Sequence, residues 1–128
     1  MKIPNILVVD DLFTNRLLLR ELMKTLGYRF MLAENGREAI ECLIKEDFDL
    51  VLMDIEMPVM NGIETTRFIR EKLPPPLNCI TIVALTAHNP RLFFEDFKDA
   101  GFDNILTKPY SLKRVHELIE RYTRNEAI

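Results

Sequence analysis

The sequence predicts an α/β domain: a flavodoxin-like, doubly wound sheet of five parallel strands in order 2-1-3-4-5, with five helices. Three observations predict it. Short apolar runs alternate five times with longer amphipathic segments, the pattern of strand–helix units in a parallel sheet. Ile6-Leu7-Val8-Val9 and Leu50-Val51-Leu52-Met53 are continuously apolar, as strands covered on both faces must be. At 128 residues the chain has the size of one domain, taken here as 1–128, and is long enough to bury a core without staples.

Each element has a local reason. The first strand, Ile6 to Val9, ends in Asp10-Asp11. A helix over about 14 to 26 follows, with Leu18, Leu22 and Leu26 at spacing four, Leu19 and Met23 beside them, and Gly27 as its stop. Tyr28 to Ala33 is the second strand. Asn35 or Gly36 opens a helix that presents Ala39, Ile40, Leu43 and Ile44 on one face. The third strand runs from Leu50 to Met53 and ends in Asp54. Pro58, Asn61 and Gly62 mark a loop. A helix from Ile63 to Leu73 stops at the stiff connector Pro74-Pro75-Pro76. Ile80 to Leu85 is the fourth strand, ending at Thr86. A helix over about 90 to 100 stops at Gly101, and Asn104 to Thr107 is a short fifth strand before Lys108-Pro109. Ser111 caps a last helix reaching about Arg124. Right-handed crossovers fix most of the remaining topology.

Composition excludes several function classes. Seventeen basic residues against twenty acidic ones leave a net charge of -3, which disfavours a nucleic-acid surface. No apolar run approaches the 18 or so residues of a membrane span, and the N-terminus is not patterned as a signal peptide. Cys42 and Cys79 stand alone without metal-ligand spacing and are read as buried small apolar residues in a reduced, cytoplasmic protein. Residues from Asn125 on are expected to fray or to lead into a linker, and the length leaves no room for an output domain.

In open α/β sheets, ligands bind beyond the carboxyl ends of the strands where the strand order reverses, here between strands one and three. Asp10, Asp11, Asp54, Thr86 and Lys108 all fall on that edge. Two unit charges about 4 Å apart cost about 4 kcal/mol at an effective dielectric near 20. Lys108, the only nearby cation, offsets part of that repulsion. A hard cation with oxygen ligands would offset the rest, and Mg²⁺ suits an open site with few carboxylates. A carboxylate beside Mg²⁺, an ammonium and a hydroxyl can attack phosphorus and form an acyl phosphate.

These residues resemble the receiver domain of two-component response regulators, over nearly the whole chain. The likeness rests on Leu7-Val8-Val9-Asp10-Asp11, on Met53-Asp54-Ile55-Glu56-Met57-Pro58-Val59-Met60-Asn61-Gly62, on Ala84-Leu85-Thr86-Ala87 and on Thr107-Lys108-Pro109. The resemblance implies that Asp54 accepts phosphate from a histidine kinase or histidine phosphotransfer domain. It implies that Asp10, Asp11 and Asp54, with the main-chain carbonyl of Glu56, hold Mg²⁺. It implies that Thr86 moves toward the phosphoryl group, that Lys108 pairs with it, and that the Lys108-Pro109 bond is cis. Such a domain is a phosphoacceptor that assists its own phosphorylation and dephosphorylation, not an enzyme in the ordinary sense. One position departs from the family: Ile105 stands where an aromatic switch residue is usual. The wording around Met57–Gly62 and Leu85–His88 looks most like receivers of hybrid histidine kinases.

Four further expectations follow. His88, with Glu56, is placed to control water access to the acyl phosphate. His116 faces solvent in the last helix. Of Leu92, Phe93, Phe94 and Phe97, one exceeds what a buried stripe needs and marks a partner or dimer surface. Output runs through protein contact at the face formed by the helix at about 90 to 100, the fifth strand and the last helix. The competing readings are a phosphorylation-independent receiver used only as an interaction module, a haloacid-dehalogenase-like phosphohydrolase and an FMN-binding flavodoxin. The phosphohydrolase would need Asp-x-Asp after strand one, where Asp10-Asp11-Leu12 stands; the flavodoxin would need a phosphate loop where Asp10-Asp11 would repel it.

Overall fold

A computed structural model describes residues 3–57, 60–87 and 99–123. Five strands, β1 (Asn5–Val9), β2 (Arg29–Ala33), β3 (Leu50–Asp54), β4 (Thr81–Thr86) and β5 (Asn104–Thr107), form one parallel sheet in the expected order β2-β1-β3-β4-β5. The register aligns the strand ends: Val9 pairs with Met53, Asp54 with Leu85, and Thr86 with Thr107. Helices α1 (Phe13–Leu26), α2 (Gly36–Lys45), α3 (Gly62–Lys72) and α4 (Leu112–Thr123) are four of the five expected. The helix expected over about 90 to 100 lies outside the described residues except at its end. There Asp99 and Ala100 are helical and Gly101 follows at φ 102°. His88, Leu92, Phe93, Phe94 and Phe97 also lie outside them.

The central strands alternate their side chains between two cores. Ile6, Val8, Leu50, Leu52, Val83 and Leu85 pack against Leu19 and Met23 of α1 and Val115 and Ile119 of α4. Leu7, Val9, Val51, Met53 and Ile82 pack against Ala39 and Leu43 of α2 and Ile69 of α3. Both faces are covered, which is why these strands read as unbroken apolar runs. The edge strand β2 alternates instead, with Arg29 and Met31 exposed.

Several local readings shift by a residue or a face. The buried line of α1 is Leu19 and Met23; Leu22 and Leu26 flank it, and Leu18 is exposed. Ile44 of α2 is likewise exposed, because the helix turns only the Ala39–Leu43 line inward. Cys42 is half-buried beside that line and Cys79 is exposed in the 3₁₀ turn Leu77–Cys79, so neither is the buried apolar residue expected. Burial, then the carboxylates Glu38, Glu46 and Glu41, raise the Cys42 thiol above its ordinary value. His116 is exposed as expected, yet its ring stacks on Tyr28 and its Nδ1 lies 3.1 Å from the Tyr28 hydroxyl.

Helix starts are set by side-chain caps. Asn35 accepts from the Glu38 N–H at 2.9 Å. Asn61 and Glu64 form a reciprocal capping box that starts α3 at Gly62, one residue before the expected Ile63. Ser111 accepts from the Arg114 N–H at 3.1 Å, as its sequence position suggested. Gly62 has a reason beyond the turn: a Cβ there would run into the main chain of Asp54 and Ile55. Gly62→Ala should therefore lower stability by about 2 kcal/mol, as expected for overpacking a tight backbone contact. Urea unfolding checks this, and an unchanged midpoint would contradict the close approach.

Candidate functional site

The carboxyl edge of the sheet gathers the polar residues that its strands end in. Asp10 follows β1 and is fully buried. Its N–H donates to the Ala33 carbonyl at the end of β2 (3.1 Å), which fixes its main chain. Its Oδ1 accepts from the Leu12 N–H at 3.0 Å, so one oxygen is committed to the loop that starts α1. Its Oδ2 is buried and accepts no hydrogen bond among the described residues. Asp54 closes β3 at 1% exposure, and its Oδ1 accepts from the Glu56 N–H at 2.9 Å. Asp11 is half-buried. One carboxylate oxygen from each of Asp10, Asp11 and Asp54 falls within a cluster no wider than 4.8 Å.

Lys108 reaches this cluster from the end of β5. Its Nζ lies 3.9 Å from Asp10 Oδ2 and 3.9 Å from Asp54 Oδ1. Its main-chain N–H donates to the Thr86 carbonyl (2.8 Å), and the following bond to Pro109 is cis, as the resemblance implied. Thr86 is buried at the end of β4, and its hydroxyl donates to Glu56 Oε1 at 3.1 Å. The structure therefore brings together Asp10, Asp11, Asp54, Glu56, Thr86 and Lys108, all six residues singled out in the sequence.

Three features were not foreseen. Lys108 is not the only cation near the acids: Arg16 donates to the Asp10 carbonyl at 2.7 Å and to Glu34 at 3.1 Å, tying the loop after β1 to the end of β2. The sequence signal is Arg16 in the first turn of α1, close in the chain to Asp10 and Asp11. The Tyr110 hydroxyl is buried and has no hydrogen-bond partner among the described residues. Burial, and then the charges of Asp10, Asp54 and Glu56, push its ionisation upward. The third is an exposed apolar rim beside the acids: Leu12, Phe13 (69% exposed) and Leu17. Phe13 and Leu17 share a face at spacing four. Ile105 is half-buried and lines a cleft of about 310 Å³ with Asn104, Leu118 and the guanidinium-bearing Arg114 and Arg121.

Burial dominates the Asp54 carboxyl and pushes its pKa up to about 7. The Glu56 N–H opposes the shift, the Asp10 charge adds to it, and Lys108 opposes it again. The donor set is all oxygen, and one buried Asp10 oxygen lacks a hydrogen bond. Both features fit a hard divalent cation such as Mg²⁺.

The raised Asp54 pKa has a definite sign in stability. Between about pH 4 and 7 the folded protein keeps a proton that the unfolded chain has lost. The contribution of Asp54 to stability therefore falls as pH rises through that window, and the buried charge is carried in full above it. Asp54→Asn removes the charge. In EDTA the substitution should raise Tm by several degrees at pH 8 and by clearly less at pH 5, read by thermal unfolding. Equal shifts at both pH values would contradict a buried, proton-holding Asp54.

Comparison with known proteins identifies the family of the chain. Residues 6–120 match the family model of the response regulator receiver domain. The sensor histidine kinase GacS of Pseudomonas protegens is 36% identical over 124 residues, which cover 94% of this chain but only 13% of that kinase. The receiver domain of a sensor histidine kinase from Pseudomonas aeruginosa, solved with a magnesium ion coordinated in its active-site cleft, superposes with a TM-score of 0.86 at 29% identity, covering 94% of this chain and 98% of that one. The receiver domain of the Saccharomyces cerevisiae response regulator Ssk1, solved in complex with a histidine phosphotransfer protein, gives 0.82 at 28% identity, covering 95% and 91%. With the family model matched over residues 6–120 and relatives this similar, the chain belongs to the response regulator receiver domain family.

Proposed function

We propose that Asp54 accepts a phosphoryl group from a phosphohistidine donor in a Mg²⁺-dependent step. The reading rests on one observation above all: three carboxylate oxygens within 4.8 Å at the point where strand order reverses, with Lys108 Nζ 3.9 Å from two of those residues. Asp54 supplies an oxygen that bonds to phosphorus while the bond from phosphorus to the donor imidazole nitrogen breaks. The electron pair of that bond stays on the imidazole. Asp10, Asp11 and Asp54, with the main-chain carbonyl of Glu56, would hold Mg²⁺. Bound there, the ion would supply positive charge to neutralise the phosphoryl oxygens. Lys108 pairs with one such oxygen and the Thr86 hydroxyl donates to another. Asp54 attacks as the carboxylate, and Lys108 favours that form against the effect of burial.

The domain so described spans residues 1–128 as one receiver. It is a phosphoacceptor and not an enzyme that turns over a separate substrate. The donor is a histidine kinase or a histidine phosphotransfer domain, a reading supported by the yeast receiver's complex with such a protein. That the chain matches only 13% of a sensor histidine kinase supports a receiver within or beside a hybrid kinase, and we infer that it works in the cytoplasm. Phosphorylation alters a surface around β5, α4 and the helix expected from the sequence at about 90 to 100, where an effector or a second copy binds; Ile105 takes the place of the usual aromatic there. The clustering of Asp10, Asp11, Asp54 and Lys108 at one sheet edge supports this reading over the phosphorylation-independent module.

Acetyl phosphate with Mg²⁺ should add one phosphoryl mass to the native protein and none to Asp54→Asn, read by intact mass. No gain in the native protein would sink the proposal. The exposed rim beside the acids implies a second outcome. Phe13→Ala should slow transfer from a phosphorylated donor protein by roughly tenfold, as loss of a central apolar contact does. It should leave the rate with acetyl phosphate unchanged, since a small donor needs no docking surface.

A further inference from the structure

The contact between Thr86 and Glu56 bears on how the proposed site is regulated. Thr86 has one hydroxyl proton to donate. In this structure that proton goes to Glu56 Oε1 at 3.1 Å. A phosphoryl group on Asp54 offers only acceptor oxygens at neutral pH, so it needs the same proton. The two contacts exclude each other. The backbone makes the competition local: the Glu56 N–H is bonded to Asp54 Oδ1 at 2.9 Å, so Glu56 is anchored to the residue that would carry the phosphate. Glu56 lies at the exposed surface, whereas Thr86 is buried.

We propose that the Glu56 carboxylate is a latch that holds the Thr86 hydroxyl in the unphosphorylated state and competes with the phosphoryl group for it. The inference rests on the reading of Asp54 as the acceptor. Phosphorylation must break the latch in two ways at once. The phosphoryl oxygens claim the only donatable proton of Thr86, and their negative charge repels the Glu56 carboxylate. The latch therefore biases the domain toward its inactive arrangement and sets a threshold for switching. Glu56 acts through Thr86 and is a positioning residue.

The test is a double-mutant cycle with beryllofluoride, a tetrahedral phosphoryl mimic, in the presence of Mg²⁺. Affinities are read by ¹⁹F NMR or calorimetry on the whole chain. Glu56→Ala should tighten binding roughly three- to tenfold, the scale expected for one charge-assisted hydrogen bond at a partly exposed site. Glu56→Gln, which keeps an acceptor but no charge, should fall between. In the Thr86→Ala background the gain from Glu56→Ala should shrink to the part due to charge repulsion alone. The free protein adds an independent readout: the Thr86 methyl resonance should move in Glu56→Ala while Tm stays within a degree or two. An equal gain in both backgrounds, or no gain in the native one, overturns the latch while leaving Asp54 as the acceptor. Failure of the native protein to bind the mimic any better than Asp54→Asn overturns the acceptor reading and the latch with it.

Discussion

The repulsion between Asp10 and Asp54 is the constraint on which the rest of the site depends. β1 and β3 are adjacent central strands buried on both faces, and each ends in an aspartate that is almost wholly out of water. Neither strand can slip to separate them, because a one-residue shift would turn every core side chain to the wrong face. The fold therefore forces two carboxylates together and must manage the result. Lys108 sits 3.9 Å from each, beyond a direct hydrogen bond. Among the described residues one Asp10 oxygen has no hydrogen bond, and burial, with the Asp10 charge adding to it, holds the Asp54 proton up to about pH 7. The protein leaves this charge imbalance in place, and a bound cation would relieve it.

The surroundings of the two acids make sense on those terms. Arg16 fixes the main chain of Asp10 without neutralising its carboxylate, because its guanidinium is spent on a carbonyl and on Glu34. Gly62 lets α3 begin against the backbone of Asp54 and Ile55. Thr86 and Lys108 are linked through the main chain at the ends of β4 and β5, so displacement of one is felt by the other. A site built this way is rigid at its carboxylates and adjustable at its hydroxyl, which is the division of labour a switch requires.

Much of this was legible in the sequence, for identifiable reasons. Strands covered on both faces read as unbroken apolar runs, so β1, β3 and β4 and the polar residues that end them stand out. The topology then puts Asp10, Asp11, Asp54, Thr86 and Lys108 on one edge without any knowledge of side-chain geometry. What periodicity could not give was rotation about a helix axis. Leu18 and Ile44 fit a spacing-four stripe as well as Leu19 and Leu43 do, and only packing decides which line turns inward. Cys79 was misjudged because residue type says little about burial in a surface turn. Arg16, Tyr110 and the rim at Phe13 escaped notice because their importance lies in what they approach in space. The Thr86–Glu56 contact is of the same kind: both residues were named, but a shared proton is invisible until the side chains are placed.

The measurement that bears most directly on the central claim is the proton count of Mg²⁺ binding. Calorimetric titration at pH 7, repeated in buffers of different ionisation enthalpy, reports how many protons leave as the ion binds. A carboxyl with a pKa of about 7 that becomes a metal ligand should release about half a proton per ion at that pH, and Asp54→Asn should release almost none. Binding without proton release in the native protein would contradict a buried, charge-frustrated Asp54 at the metal site.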